Sequence, residues 1–226
     1  MLKNSRIILS ALALVGFGTG TSQAALIDRG GGLIYDDVLN VTWMQDALYA
    51  RTVGASSTGG MNWYGAMDFA ANATYYDAVR NVTLDDWRLP QMFETPTDWT
   101  TYDITGMKSE LSYMYYVNLG FSANLGHDPS LPNPSGTNYN PFVNIQYRSY
   151  WTDETAFPRE NNAWILHAHF GSLEQTDKYD GSFVWLLRDG DVGGAAATVP
   201  EPATLGLLGL GLIGVGAARR KKAAKA

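Results

Sequence analysis

Three groups of residues in this chain have types and spacings that could do chemistry. His167 and His169 lie two apart in the apolar run 163–170, so in a strand both imidazoles leave the same face as Ile165. Two imidazoles joined by a carboxylate such as Glu174 or Asp177 are a donor set for a transition metal. The same pair suits a half-exposed polar sheet face, and that is the reading we favour, with the metal as a weak candidate. The neighbouring acids Asp153-Glu154 and Asp85-Asp86 are the residue types that cleave glycosidic bonds, a reaction needing two carboxyls at a fixed separation across a cleft. Adjacent acids are more often solvated turns, so no catalytic residue is assigned. Asp189-Gly190-Asp191 and Asp36-Asp37 put hard oxygen donors in turns. Asp189 and Asp191, with Glu154, are the candidate ligand or calcium site, although neither turn has the full spacing of a calcium loop. Calcium is the single cofactor left open. The chain has no cysteine, which excludes a thiol nucleophile, a thiolate metal site and an iron–sulfur cluster. No Gly-x-Ser-x-Gly, phosphate-loop or dinucleotide pattern is present.

The elements that would carry these residues are short. Leu33-Ile34-Tyr35 reads as a strand ending in the turn Asp36-Asp37. Asn62 can cap a helix with Trp63, Ala66, Met67 and Ala70 on one face, and Ser109 a second with Leu111, Met114, Tyr115 and Asn118 in register. The segment 126–141 is rich in Pro, Asn, Gly and Ser and reads as a long loop. In Trp87-Arg88-Leu89-Pro90, Pro90 holds Leu89 extended. Trp87 and Leu89 then share a core face with Arg88 opposite, and Trp151 and Trp185 are read as core too. The run 163–170 is read as a strand pairing antiparallel with 183–187 across a polar loop at 171–181. No internal repeat is read. The order of elements predicts an α+β domain with two helices and a small antiparallel sheet.

The two ends carry an address. Lys3 and Arg6, the apolar run 7–17 and Ser22-Gln23-Ala24 form a signal peptide cleaved after Ala24. At the other end Pro200-Glu201-Pro202 precedes an uncharged, Gly-rich span at 203–218 and the basic run Arg219-Arg220-Lys221-Lys222. The 16 residues of that span reach about 24 Å as a helix, short of the roughly 30 Å hydrocarbon core. The basic end places the C-terminus in the cytoplasm and the folded part outside. The expected division is signal peptide 1–24, domain 25–192, linker 193–198 and sorting segment 199–226.

The whole chain is mildly acidic, at −6 from 16 basic and 22 acidic residues. The two ends take seven of the basic residues and one acid, so the part between them stands near −12. That argues against nucleic acid, polyanions and anionic membranes as partners. All seven Trp and thirteen Tyr lie between the ends, enough aromatic volume for a core without disulfides.

The tail, with Pro200, Glu201, Pro202, Arg219 and Arg220 in order, resembles the PEP-CTERM sorting signal of exopolysaccharide-producing Gram-negative bacteria. The resemblance implies export and removal of the tail by an exosortase-type membrane protease; the alternative is a permanent C-terminal anchor, which the short, Gly-rich span disfavours. The domain resembles a family as well. Leu33-Ile34-Tyr35-Asp36-Asp37 with Thr42-Trp43-Met44-Gln45-Asp46 matches its opening, and Trp87-Arg88-Leu89-Pro90 its centre. Tyr150-Trp151-Thr152 with Glu154, then Val184-Trp185 with Arg188-Asp189-Gly190-Asp191-Val192, match its later segments. These are similar to the C-terminal domain of bacterial collagen-like adhesins, the Lcl C-terminal domain family, and the resemblance implies a C-type-lectin-like fold. The cysteines and the Glu-Pro-Asn or Gln-Pro-Asp sugar motif of C-type lectins are absent, so no sugar site carries over. In a bacterial protein the three Asn-x-Thr triplets at Asn40, Asn72 and Asn81 are chance matches. The expectation is an exported, non-catalytic surface or matrix protein. Its partners would be the export machinery, an exosortase and exopolysaccharide, with membrane contact only through the C-terminal span. The alternatives are a secreted polysaccharide hydrolase and a structural matrix protein.

Overall fold

The computed structural model describes residues 26–123 and 140–193. The expected signal peptide, most of the expected long loop and the sorting segment lie outside the described residues.

The chain begins with three antiparallel strands, β1 (Leu26–Asp28), β2 (Leu33–Asp36) and β3 (Val41–Met44). A helical turn, α1 (Tyr49–Thr52), and a short strand, β4 (Gly60–Met61), lead to α2 (Trp63–Asn72). Asn62 caps α2 as expected, its side chain accepting the Gly65 amide at 2.8 Å. Ala66 and Ala70 are buried beneath it, on the face the spacing predicts. A hairpin of β5 (Tyr75–Asp77) and β6 (Val82–Leu84) follows, then the edge strand β7 (Thr100–Tyr102). Ser109 caps α3 (Glu110–Ser112), accepting the Ser112 amide at 2.9 Å, and α3 runs directly into a π-helical turn, Tyr113–Asn118.

After the second described segment begins, β8 (Ser149–Thr155), β9 (Asn162–His167) and β10 (Ser172–Asp177) form an antiparallel meander. Two short strands close the fold, β11 (Ser182–Phe183) and β12 (Leu187–Asp189). The order is β1-β2-β3-β12 in one sheet and β4-β11-β8-β9-β10-β7 in a six-stranded one, with β5-β6 apart.

Strand alternation divides the apolar residues between two cores. Ile34, Trp43, Tyr150, Trp164 and Leu166 point into one, with Leu111, Met114 and Tyr115 from α3 and the π turn. Their strand neighbours Leu33, Met44, Trp151, Ala163 and Ile165 point into the other, against Ala66 and Ala70 of α2 and against Trp87 and Leu89. Both faces of the central strands are therefore covered, which is why they read as continuous apolar runs.

Two expectations are corrected. The domain is mostly β, not an α+β domain of two helices on a small sheet, and with that the C-type-lectin-like assignment falls. Among the described residues α2 is the one helix of ten residues, against twelve strands. The aromatic-rich runs were compatible with either class, and burial on both faces selects strands. The expected hairpin of 163–170 with 183–187 does not form either. β9 pairs with β10, which occupies most of the expected loop, and His169 lies in the turn between them. β10 is polar apart from Leu173, which is fully buried, so periodicity could not mark it. Val184-Trp185-Leu186-Leu187 crosses between the two sheets. Val184 and Leu186 enter one core, Trp185 and Leu187 the other.

An internal repeat is present after all. Tyr-Asp-x-Val-x-Asn-Val-Thr occurs at 35–42 and 76–83, and both copies fold as the same four-residue hairpin loop. Asp36 Oδ1 accepts the amides of Val38 and Leu39, each at 3.0 Å. Asp77 Oδ1 accepts those of Val79 and Arg80 at 2.9 and 3.3 Å. Each loop ends on an Asn in the left-handed region, Asn40 at φ 53° and Asn81 at φ 55°, a conformation Asn tolerates better than most residues. Tyr35 and Tyr76 donate their hydroxyls to these side chains at 3.0 and 2.6 Å. Two of the three Asn-x-Thr triplets are thus turn chemistry.

Candidate functional site

The β9–β10 turn is also a four-residue loop ending in the left-handed region, but it closes through a main-chain carbonyl and not through an Asp side chain. The amides of Phe170 and Gly171 donate to the His167 carbonyl at 3.0 and 2.8 Å. Gly171 sits at φ 77°, where a Cβ would run into the rings of Tyr115 and Tyr116. The turn lifts His169 and Phe170 beside His167, with ring centroids 4.4–6.2 Å apart. Opposite, Tyr147-Arg148-Ser149 leads into β8. Ser149 pairs with His167, and the Ala168 amide donates to the Arg148 carbonyl at 3.1 Å. The Tyr147 ring packs edge-on to His169 at 4.2 Å, with its hydroxyl 3.3 Å from Nε2.

These groups line an open cleft of about 700 Å³, completed by Thr58 and Gly60 before and within β4 and by Ser182 and Phe183 of β11. It is lined by aromatic rings and by the hydroxyls of Thr58, Tyr147, Ser149 and Ser182, its basic groups are Arg148, His167 and His169, and no carboxylate is in the lining. Aromatic faces beside a few fixed polar groups are what a ring with an apolar face and polar edges requires. Burial holds the His167 imidazole below its ordinary range despite the opposing pull of Glu174, which favours its neutral form.

The weak candidate metal set of His167 and His169 with Glu174 or Asp177 is not assembled among the described residues. Glu174 accepts the Ser172 hydroxyl, and Asp177 accepts the Tyr179 amide at 2.8 Å. Among the described residues no group of three or more His, Asp or Glu side chains could hold a metal ion. Asp189 and Asp191 face different arginines. Arg88 donates to Asp189 from Nη2 at 2.6 Å and from Nε at 2.9 Å, and Arg29 holds Asp191. Asp36 is taken up by its own loop and by Asn118, which donates at 2.6 Å.

The carboxylate pairs separate as well. Arg188 clasps Asp86 at 2.6 and 2.7 Å, and these hydrogen bonds hold that carboxyl below its usual range. Asp153 lies in β8 near a second cluster. There Arg88 grips the buried Glu110 through two bonds, 2.7 and 2.8 Å, and the Gln91 amide adds a third at 2.7 Å. Burial pushes the Asp153 carboxyl up to about 6, helped by the negative Glu110 and Glu154 and opposed by Arg88. As expected, Trp87, Leu89, Trp151 and Trp185 are core.

Tyr147, Arg148, Phe170 and Phe183 were not singled out from the sequence. The signal that could have found them is the Tyr-Arg-Ser triplet just before Tyr150-Trp151, visible only once β8 and β9 are known to pair.

A family model described as the Lcl C-terminal domain matches residues 32–188, and one described as the PEP-CTERM protein-sorting motif matches residues 198–221. The second covers Pro200, Glu201, Pro202, Arg219 and Arg220, which lie outside the described residues, as does Ala24. No curated protein and no solved structure matches the chain.

Proposed function

The chain belongs to the Lcl C-terminal domain family, and from that premise we propose that it is a non-catalytic binding protein of the cell surface or exopolysaccharide matrix, holding glycan in the cleft between Tyr147 and Phe183. The sorting motif marks it as an exported protein of the cell envelope or surface, processed by an exosortase. The observation that carries the reading is the cleft itself, lined by aromatic rings and hydroxyls and free of carboxylates. Stacking on Tyr147, His169, Phe170 and Phe183 would hold sugar rings by their C–H faces, while Ser149, Ser182 and Thr58 meet ring hydroxyls. The domain is acidic overall, yet this cleft presents Arg148, so its local field favours carboxylated or sulfated sugars over neutral ones. Calcium has no assigned role in this reading.

The test is binding of the mature protein to exopolysaccharide fractions from its host. Arg148→Ala is expected to weaken binding about tenfold, the scale of one charge-assisted hydrogen bond, and Tyr147→Ala to weaken it further without lowering the melting temperature appreciably. Unchanged binding in both variants would place the ligand elsewhere.

A second reading, a polysaccharide hydrolase, draws on Asp153, whose raised pKa suits a general acid. It requires turnover of the same fractions that disappears in Asp153→Asn and in Glu154→Gln.

A further inference from the structure

The folded domain ends in a clamp. Just past β1, Arg29 donates from Nε at 2.9 Å and from Nη2 at 2.5 Å to the two carboxylate oxygens of Asp191. Asp191 Oδ1 also accepts the Gly193 amide at 2.9 Å. From the other side Arg80 donates to the Gly193 carbonyl from Nε at 2.9 Å and from Nη2 at 2.5 Å. The same Nη2 reaches the Arg29 carbonyl at 2.6 Å, and Nη1 pairs with the buried Asp77 at 2.5 Å. One guanidinium therefore joins the start, the middle and the end of the domain.

The repeated hairpin shows that Arg80 is not there for its own loop. In the first copy the equivalent position is Leu39, and that loop closes with the same Asp, Asn and Tyr contacts. Burying a guanidinium at 11 % exposure is costly unless its donors are used, and two of the three partners of Arg80 are main-chain carbonyls at the domain's ends.

We propose that Arg29 and Arg80 form an exit clamp that sets the reach of the sorting motif from the folded domain, and so positions the motif for its membrane protease. The proposal rests on the exosortase reading of the tail. Residues 194–199 separate the clamped Gly193 from Pro200, a span of at most roughly 20 Å at full extension. With the clamp open and Val192 released from the edge of the core against which it packs, the next hold is the Gly190 amide on the Asn40 carbonyl at 2.8 Å. The three residues gained would extend the reach to roughly 30 Å. Because the clamp needs residues 29, 77–80 and 191–193 together, only a folded domain holds the motif at the shorter distance.

Pulse-chase and intact-mass analysis of the full chain in its host test this. Deleting 194–197 leaves a tether of roughly 7 Å and is expected to slow tail removal severalfold. Adding R29Q and R80K, which opens the clamp but leaves a cation for Asp77, restores most of the rate. Replacing the deleted residues with Gly-Ser-Gly-Ser restores it with the clamp intact. Should the double variant fail to fold, Asp191→Asn keeps the Arg80–Asp77 pair and is expected to give partial rescue. A shortened chain processed at the native rate overturns the proposal. So does a shortened chain that the Gly-Ser refill rescues but the clamp variants do not, or one that the refill cannot rescue. If the native chain keeps its tail and Glu201→Ala changes nothing, the sorting reading fails and takes the clamp's role with it.

Discussion

Asp153 is a carboxyl whose ionisation the fold penalises. Its carboxyl stands near 6 instead of 3.8, because burial and the negative Glu110 and Glu154 oppose its charge more than Arg88 favours it. A folded-state pKa above the unfolded value means that the folded form binds the extra proton between about pH 4 and 6. This contribution to stability is complete below pH 4 and lost as the pH rises through 6. Asp153→Asn is therefore expected to stabilise the protein at pH 7.5 by about 1 kcal/mol, after allowance for the partly exposed site. The gain should vanish at pH 4; urea melts at the two values check this. The acids of the sequence pointed to metal, calcium or catalysis because type and spacing are local. Their actual partners are not local. Asp86 meets Arg188, Asp189 meets Arg88 and Asp191 meets Arg29, at separations of 102, 101 and 162 residues.

Among the elements, the hairpin loops show how much turn chemistry decides. Asn81 at φ 55° ends the loop of the second copy and accepts the Tyr76 hydroxyl. Asn81→Val puts a β-branched residue in the left-handed region and is expected to cost about 1–2 kcal/mol, whereas Asn81→Gly stays within about 0.5 kcal/mol. Thermal unfolding of the two variants side by side distinguishes backbone strain from the lost hydrogen bond, since both lose the latter. The caps at Asn62 and Ser109 were legible for the same reason, a short polar side chain next to its own amides. β10 was not legible. Its hydrogen bonds go to β9 and β7, and with Leu173 as its single core residue nothing in its own composition announces a strand. The helical spacing after Ser109 was seen, but not its widening, after three α-helical residues, into a π turn in which the Leu119 amide bonds back five residues to Met114 at 2.9 Å.

At the level of the whole molecule, the exported domain and its tail divide the labour. Glu201→Ala is expected to leave a full-length, membrane-held species where the native protein is processed, as read by intact mass and cell fractionation. Its domain should still fold, since residues 26–193 contain both cores. The sorting motif at the C-terminal end was legible in the sequence, because such a signal is a linear string of charge, apolar length and small residues. The core aromatics were legible too, as apolar mass that had to be buried. Only the tertiary structure decided the class of the domain, because a continuous apolar run is compatible with a buried strand or a buried helix until its two faces have partners. It alone decided the cleft, whose walls come from residues 58–60, 147–149, 167–170 and 181–183. These segments are brought together by strand pairing, and no spacing along the chain records that.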